Sequence, residues 1–175
     1  DAPTFFEGIR HVFRQAPDVV VVGELRDKET FRIALQAANS GHLVLSTTHS
    51  ENATAIIERT INMFEPHEQN HIRMMLAESL ILSLFQCLVP LKDGGGRVPA
   101  IEKFINTHRL RKFIRDGKTH QIRSQMQSGA EDFTGIDIAL AELHKKGLID
   151  FEQGAVFAED RQFYQELVQM PAPRK

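Results

Sequence analysis

Apolar residues along this chain fall into short runs and longer stretches at helical spacing, and the two kinds alternate. Phe5, Phe6, Ile9, Val12 and Phe13 recur on one helical face, which predicts a helix over residues 4–15. Pro17 and Asp18 punctuate, and Val19–Val22 follow as consecutive β-branched residues, apolar on both alternations. Such a run predicts a strand buried on both faces, as in a parallel sheet. Gly23 and Glu24 stop it. Asp27 is placed to cap a helix over 28–40, with Glu29 and Thr30 in its first turn, Phe31, Ile33, Ala34, Leu35, Ala37 and Ala38 on its core side, and Gly41 just past its end. Residues 42–48, around Leu43, Val44 and Leu45, predict a second buried strand.

Helical spacing returns over 52–64 through Ala55, Ile56, Ile57, Ile61 and Phe64, and Pro66 breaks it. A longer helix is expected over 67–85, carrying Ile72, Met75, Leu76, Leu80 and Leu84, with Met74 and Met75 as core filler. Residues 86–91 and 98–105 read as two strands, joined by Lys92–Arg97, whose glycines suit a hairpin. Over 109–116, Leu110, Phe113 and Ile114 share one helical face while Arg111 and Arg115 share another. Ile122 and Met126, stopped by Gly129, suggest a short helix. Ile136, Ile138, Ala139, Leu140 and Leu143 mark an amphipathic one over 135–146, ended by Gly147. Leu148–Asp150 lead into a further short helical segment, and residues 171–175 read as a disordered tail. The class that follows is α/β.

Composition narrows the setting more than the chemistry. At 175 residues the chain can bury a real core. A net charge of −2 with mixed signs gives no basis for bulk binding to nucleic acid or to a membrane surface. A single cysteine, Cys87, excludes an internal disulfide and fits a reducing compartment. No apolar run approaches the ~20 residues that span a bilayer, so no membrane insertion is expected. Nor does a signal-peptide pattern open the sequence.

Candidate chemistry gathers where the first two strands end. Glu24 puts a carboxylate at a strand's carboxyl end, the edge at which open α/β sheets bind ligands. Ser46, Thr47, Thr48 and His49 close the second strand with hydroxyls and an imidazole. They could donate to a γ-phosphate or an attacking water, or cap the helix starting near Asn52; spacing alone favours capping. Arg10 and Arg14, and again Arg111 and Arg115, read by themselves as solvated faces. His67 and His71 have metal-ligand spacing, but no carboxylate or cysteine stands at a suggestive position beside them. The full Walker A pattern GxxxxGK[ST] does not occur: Gly117–Thr119 reads GKT, but Lys112 stands where its first glycine is required, so the phosphate-cradling loop is not encoded in this chain.

Longer motifs change the balance. Arg14, Pro17, Asp18, Val20–Val22 and the GELRD of Gly23–Asp27 together resemble the Walker B region of the type II secretion/type IV pilus ATPases. Phe13 and Ala16 depart from that pattern outside the acid-bearing turn. Gly41–Ser50, GHLVLSTTHS, is similar to the same family's His box, with His42 and His49 on its two histidines and Thr48 where leucine is common. Arg109–Asp116 resembles the AIRNLIRE element of the PilT-like pilus-retraction branch: Arg111, Ile114 and Arg115 are identical, Leu110 and Phe113 similar, while Arg109 and Lys112 depart. Relatives acting in extension or secretion commonly carry paired CxxC zinc elements, which a chain with one cysteine cannot form.

What the resemblance implies is specific. The fold would be the later part of a RecA-like domain, residues 1–107, followed by a helical subdomain over 108–170. The parent would be a homo-hexameric ATPase, cytoplasmic and peripheral at the inner membrane, docking on the pilus platform protein and in some systems on a paralogous ATPase. It would use ATP and Mg²⁺. Glu24 would polarise or position the attacking water, directly or through Mg²⁺, and His49 would contact the γ-phosphate. Arg26, His42, Arg10, Arg14 and Thr48 would stand near the nucleotide or the neighbouring subunit, with Arg26 alternatively bracing the loop and His42 supporting. The chain would be the C-terminal portion of that motor, inactive alone. A secretion or pilus-extension ATPase, or a non-hydrolysing accessory subunit, are the competing expectations.

Overall fold

The computed structural model describes residues 7, 8, 11, 12, 15, 17–126 and 132–171, with side chains for all of these but 123–126. Residues 7, 8, 11 and 12 are helical, within the helix expected over 4–15; Arg10 and Arg14 lie outside the described residues, as do Gly129 and 172–175 of the tail. The chain forms two compact units that interleave: Asp1–Ile81 with Asn106–Ile122, and Leu82–Ile105 with Arg123–Lys175. That differs from the expected division at 107/108. The central hairpin packs on the helices that follow it, and the basic helix after the hairpin packs on an earlier one.

In the first unit, β1 (Val19–Glu24) and β2 (Leu43–Thr47) pair in parallel, Val20 opposite Val44 and Val22 opposite Ser46. The crossover is α1 (Lys28–Asn39), started as expected by Asp27, whose Oδ1 accepts from the Thr30 N–H at 2.9 Å. Gly41 takes φ +101° just beyond its end, a conformation that favours glycine. Val20 and Val22 are buried with Leu25, Ile33 and Val44 packed against them, but Val19 and Val21 are 51% and 73% exposed. Within this chain β1 is therefore buried on one face and open on the other. Composition reports what a face could bury, whereas the single crossover helix covers one face.

α2 (Ala55–Asn62) begins after Asn52, whose Oδ1 accepts from the N–H groups of Thr54 and Ala55. The hydroxyl cluster does not cap this helix. α3 (Pro66–Ser79) has Pro66 in its first turn and a capping box between Glu65 and Glu68. It ends six residues before the expected Phe85, because Leu82 already pairs with Ile105. Asn106 fixes that end: its amide donates to the carbonyls of Ala77 (2.9 Å) and Leu80 (2.8 Å), which lack helical partners. Met74 is exposed, not core filler. α4 (His108–Arg115) buries Leu110 and Ile114, and α5 (Thr119–Met126) follows.

In the second unit, β3 (Leu82–Pro90) and β4 (Arg97–Ile105) form an antiparallel hairpin, with Gly94 and Gly96 at positive φ in its turn. A two-residue strand, β5 (Phe133–Thr134), extends it beside β4. One hairpin face packs on α6 (Ile136–Lys145), α7 (Phe151–Phe157) and α8 (Arg161–Gln169), around Val89, Ala100, Leu140, Ile149 and Tyr164. Leu84, expected on a helix core face, instead lies on the hairpin's outer face and is exposed.

Tyr164 is fully buried and stacked on Phe151 at 5.2 Å between centroids. Its hydroxyl occupies the space a Cβ on Gly154 would need, 2.1 Å away. Helix propensity alone favours Gly154→Ala by roughly 0.5–1 kcal/mol. Packing decides the opposite sign, since neither a backbone-anchored Cβ nor an enclosed ring can yield. We expect Gly154→Ala to destabilise this unit by about 1–3 kcal/mol in thermal or denaturant melts. Adding Tyr164→Phe should restore part of that, and a stabilised single variant would refute the clash.

Candidate functional site

The parallel pairing carries both strand ends to one edge. The ladder slips one residue between Val22 and Glu24, a bulge at Gly23 that releases Glu24 from regular alternation. Leu25 N–H donates to the Thr47 carbonyl at 2.9 Å, Thr47 Oγ1 to the Gly23 carbonyl at 2.5 Å and Thr48 Oγ1 to the Leu25 carbonyl at 3.2 Å. The hydroxyls that sequence spacing assigned to a helix cap thus stitch the two strand ends together. The turn after Glu24 stays folded beside the turn after Thr47.

Within that frame Glu24 has two partners. His49 Nε2 lies 3.1 Å from Oε1, while Arg26 reaches Oε2 with Nε at 2.7 Å and a terminal nitrogen at 2.6 Å. The Arg26 hydrogen bond, and its charge, hold the Glu24 carboxyl below the usual carboxylate range, with the His49 charge adding to the effect; reciprocally the Arg26 guanidinium is pushed up. The result is an ionised carboxylate at an open edge, where His49 is 83% and Arg26 78% exposed. Oε1 keeps a further lone pair for a water or a cation, whereas Oε2 is taken up by the two Arg26 nitrogens.

Other expected site residues fall elsewhere. His42 sits at the amino end of β2, the opposite end of the strand from His49, with Nδ1 3.1 Å from both the Ala37 carbonyl and Ser40 Oγ. It tethers the end of α1 and takes no part in the Glu24 edge. Arg10 and Arg14 lie outside the described residues. His67 and His71 are exposed, and no cluster of three or more potential metal ligands occurs among the described residues. Leu110 and Ile114 are core, Phe113 is half-buried, and Arg111 and Arg115 both reach Glu78 of α3, at 3.5 and 3.4 Å.

Sequence reading missed two residues. Arg59 of α2 donates to the His49 carbonyl and anchors the loop behind the imidazole. Glu78 receives the two arginines of α4. Neither carries a motif, and each partner is distant in sequence. A magnesium ion prefers hard oxygen ligands and keeps several waters, often held by one or two carboxylates together with substrate phosphates. Glu24 fits such a single-carboxylate role, directly or through water.

Known proteins bear on this arrangement. Residues 2–168 match the family model described as type II/IV secretion system protein. The chain is 42% identical over 153 residues to the type IV pilus retractation ATPase PilT of Pseudomonas aeruginosa, covering 87% of this chain and 44% of that protein. It is 39% identical over 147 residues to a twitching motility protein of Neisseria gonorrhoeae, covering 83% of this chain and 39% of that one. Among solved structures, the pilus retraction motor PilT with bound ADP superposes with a TM-score of 0.85 at 36% identity, over 95% of this chain and 47% of that chain. The chain therefore spans less than half the length of these relatives.

Proposed function

The chain belongs to the type II/IV secretion system protein family, and on that premise we propose that it is the C-terminal part of a hexameric ATP-hydrolysing motor for type IV pilus retraction and twitching motility. The observation that carries the chemistry is the meeting of Glu24 and His49 at 3.1 Å, on a strand-end edge made by parallel pairing. Support for the retraction branch is the similarity to pilus-retraction relatives along most of the chain, with the LRKFIR helix and the single cysteine.

In this reading Glu24, kept ionised by Arg26, accepts a hydrogen bond from the attacking water and orients it. His49 donates to the transferred phosphoryl group from the same edge, so the water and its target are held together. Arg26 braces the turn and frees a carboxylate oxygen as substrate enters. Magnesium, when bound, would neutralise charge building on the phosphates. The working assembly is a homo-hexamer, cytoplasmic and peripheral at the inner membrane, docking on the platform protein of the pilus machine and in some systems on a paralogous ATPase. ATP turnover by the purified full-length protein, together with pilus retraction in cells that have or lack it, tests the reading. Turnover without an effect on retraction would return it to secretion or extension. A full-length protein that binds its paralogue but hydrolyses nothing would make it an accessory subunit.

The chain alone should neither bind nor hydrolyse ATP measurably. Phosphate affinity in such sites comes mostly from a loop of backbone N–H groups and its lysine, and no complete GxxxxGK[ST] occurs here. Calorimetric titration with Mg-ATP is expected to give no heat above dilution; micromolar binding would contradict this.

A further inference from the structure

α3 carries an acid towards each end, and each is held by arginine from a different helix of the same unit. Near the amino end, Arg32 of α1 donates to Glu68 Oε1 at 2.7 Å, and its guanidinium lies 5.0 Å from the Phe64 ring centroid. Near the carboxyl end, Glu78 faces Arg111 through Oε2 at 3.5 Å and Arg115 through Oε1 at 3.4 Å. The two acids are about 15 Å apart along the helix at 1.5 Å per residue. Between them Ile72, Leu76 and Ala77 are buried, so α3 is packed along this length.

Upstream, α1 starts at the Asp27 cap, directly after the turn that holds Glu24 and Arg26. Downstream, Asn106 joins the last turn of α3 to the chain ahead of α4, through its side-chain amide and an N–H to the Ile81 carbonyl at 2.9 Å. The apolar stripe of α4, Leu110 and Ile114, keeps it against the unit but does not by itself stop it from rolling or sliding. One carboxylate shared by two arginines a turn apart does, because charge-assisted contacts are directional.

We propose that α3 is the transmission element between the Glu24–His49 edge and α4, and that Glu78 is the positioning residue that fixes the register of α4 upon it. The role of Glu78 in work rests on the motor reading; the clamp itself does not. All three side chains are partly exposed, so the clamp adds little to folding stability. Its effect should appear in coupling and in the mobility of α4.

The test uses the full-length hexamer carrying Glu78→Gln. Retraction in cells should fall at least tenfold while ATP turnover stays within threefold of the parent. Glu78→Asp should retain more retraction than Glu78→Gln, and combining Glu78→Gln with Arg111→Ala and Arg115→Ala should be no worse than the arginine changes alone. Wild-type retraction by Glu78→Gln, or turnover falling in step with retraction, would overturn the coupling role. Hydrogen exchange reads the clamp independently of motor function. α4 amides should exchange about two- to fivefold faster in Glu78→Gln, with those around Ile72 and Leu76 unchanged, and unchanged α4 exchange would overturn the clamp. If the unmutated parent proves not to be a retraction motor, the motor reading fails and this exchange measurement still decides the clamp.

Discussion

Glu24→Gln in the full-length protein is expected to lower ATP turnover by a hundredfold or more while leaving ATP affinity within a few-fold of the parent. The amide matches the carboxylate in size and can still accept a hydrogen bond from His49, so the turn should keep its shape. It loses the negative charge, and with it the strong acceptor that orients water and complements a cation. Phosphate binding in such motors rests on a loop that this chain does not encode, so affinity should survive the change. Steady-state turnover and nucleotide titration on the same preparation separate the two quantities. Near-normal hydrolysis would remove Glu24 from the chemistry; loss of both together would make it a binding residue. Because Arg26 and His49 favour the ionised form, neutral pH already supplies the anion, and protonation of Glu24 should not limit turnover there.

The second large effect concerns α4. Arg111→Ala with Arg115→Ala should preserve the hexamer and at least part of the ATPase activity, yet abolish pilus retraction. The folding argument is one of magnitudes. Each arginine reaches Glu78 at 3.4–3.5 Å while partly exposed, and such pairs contribute about 0–1 kcal/mol. The helix is held instead by Leu110 and Ile114, both buried, which the double variant leaves in place. What it removes is the charged face and its hold on α3, so the loss should fall on transmission. Turnover of the purified variant and retraction in cells decide between the roles. Normal retraction would reduce the face to solvated charge, and an unfolded protein would show that the arginines are structural.

Short-range order was legible from the residues themselves. Asp27 before α1, Gly41 after it, the glycines between β3 and β4, and Gly147 after α6 act within a few residues of where they stand. Caps and positive-φ turns are local physics, and they placed most elements to within a few residues. The Walker B and His-box motifs likewise marked Glu24 and His49 before any geometry was available. The N-terminal arginines they also marked, Arg10 and Arg14, lie outside the described residues.

Tertiary structure decided what depends on neighbours remote in the chain. Four valines suit a strand buried on both sides; within this chain the crossover helix covers the face of Val20 and Val22, and Val19 and Val21 are exposed. Leu80 to Phe85 suited a helix by spacing, and pairing of Leu82 with Ile105 made most of it a strand. The motif favours His49 for the phosphate and His42 for a supporting role, and it is β2 that carries them to opposite ends, one to α1 and one to Glu24. Glu78 showed no sign of its role, because its partner Arg115 is 37 residues away in sequence and meets it only once α4 packs on α3. Apolar periodicity and caps fix which segments fold; which polar groups then meet is set by packing, because an ion pair follows from where two elements come to rest.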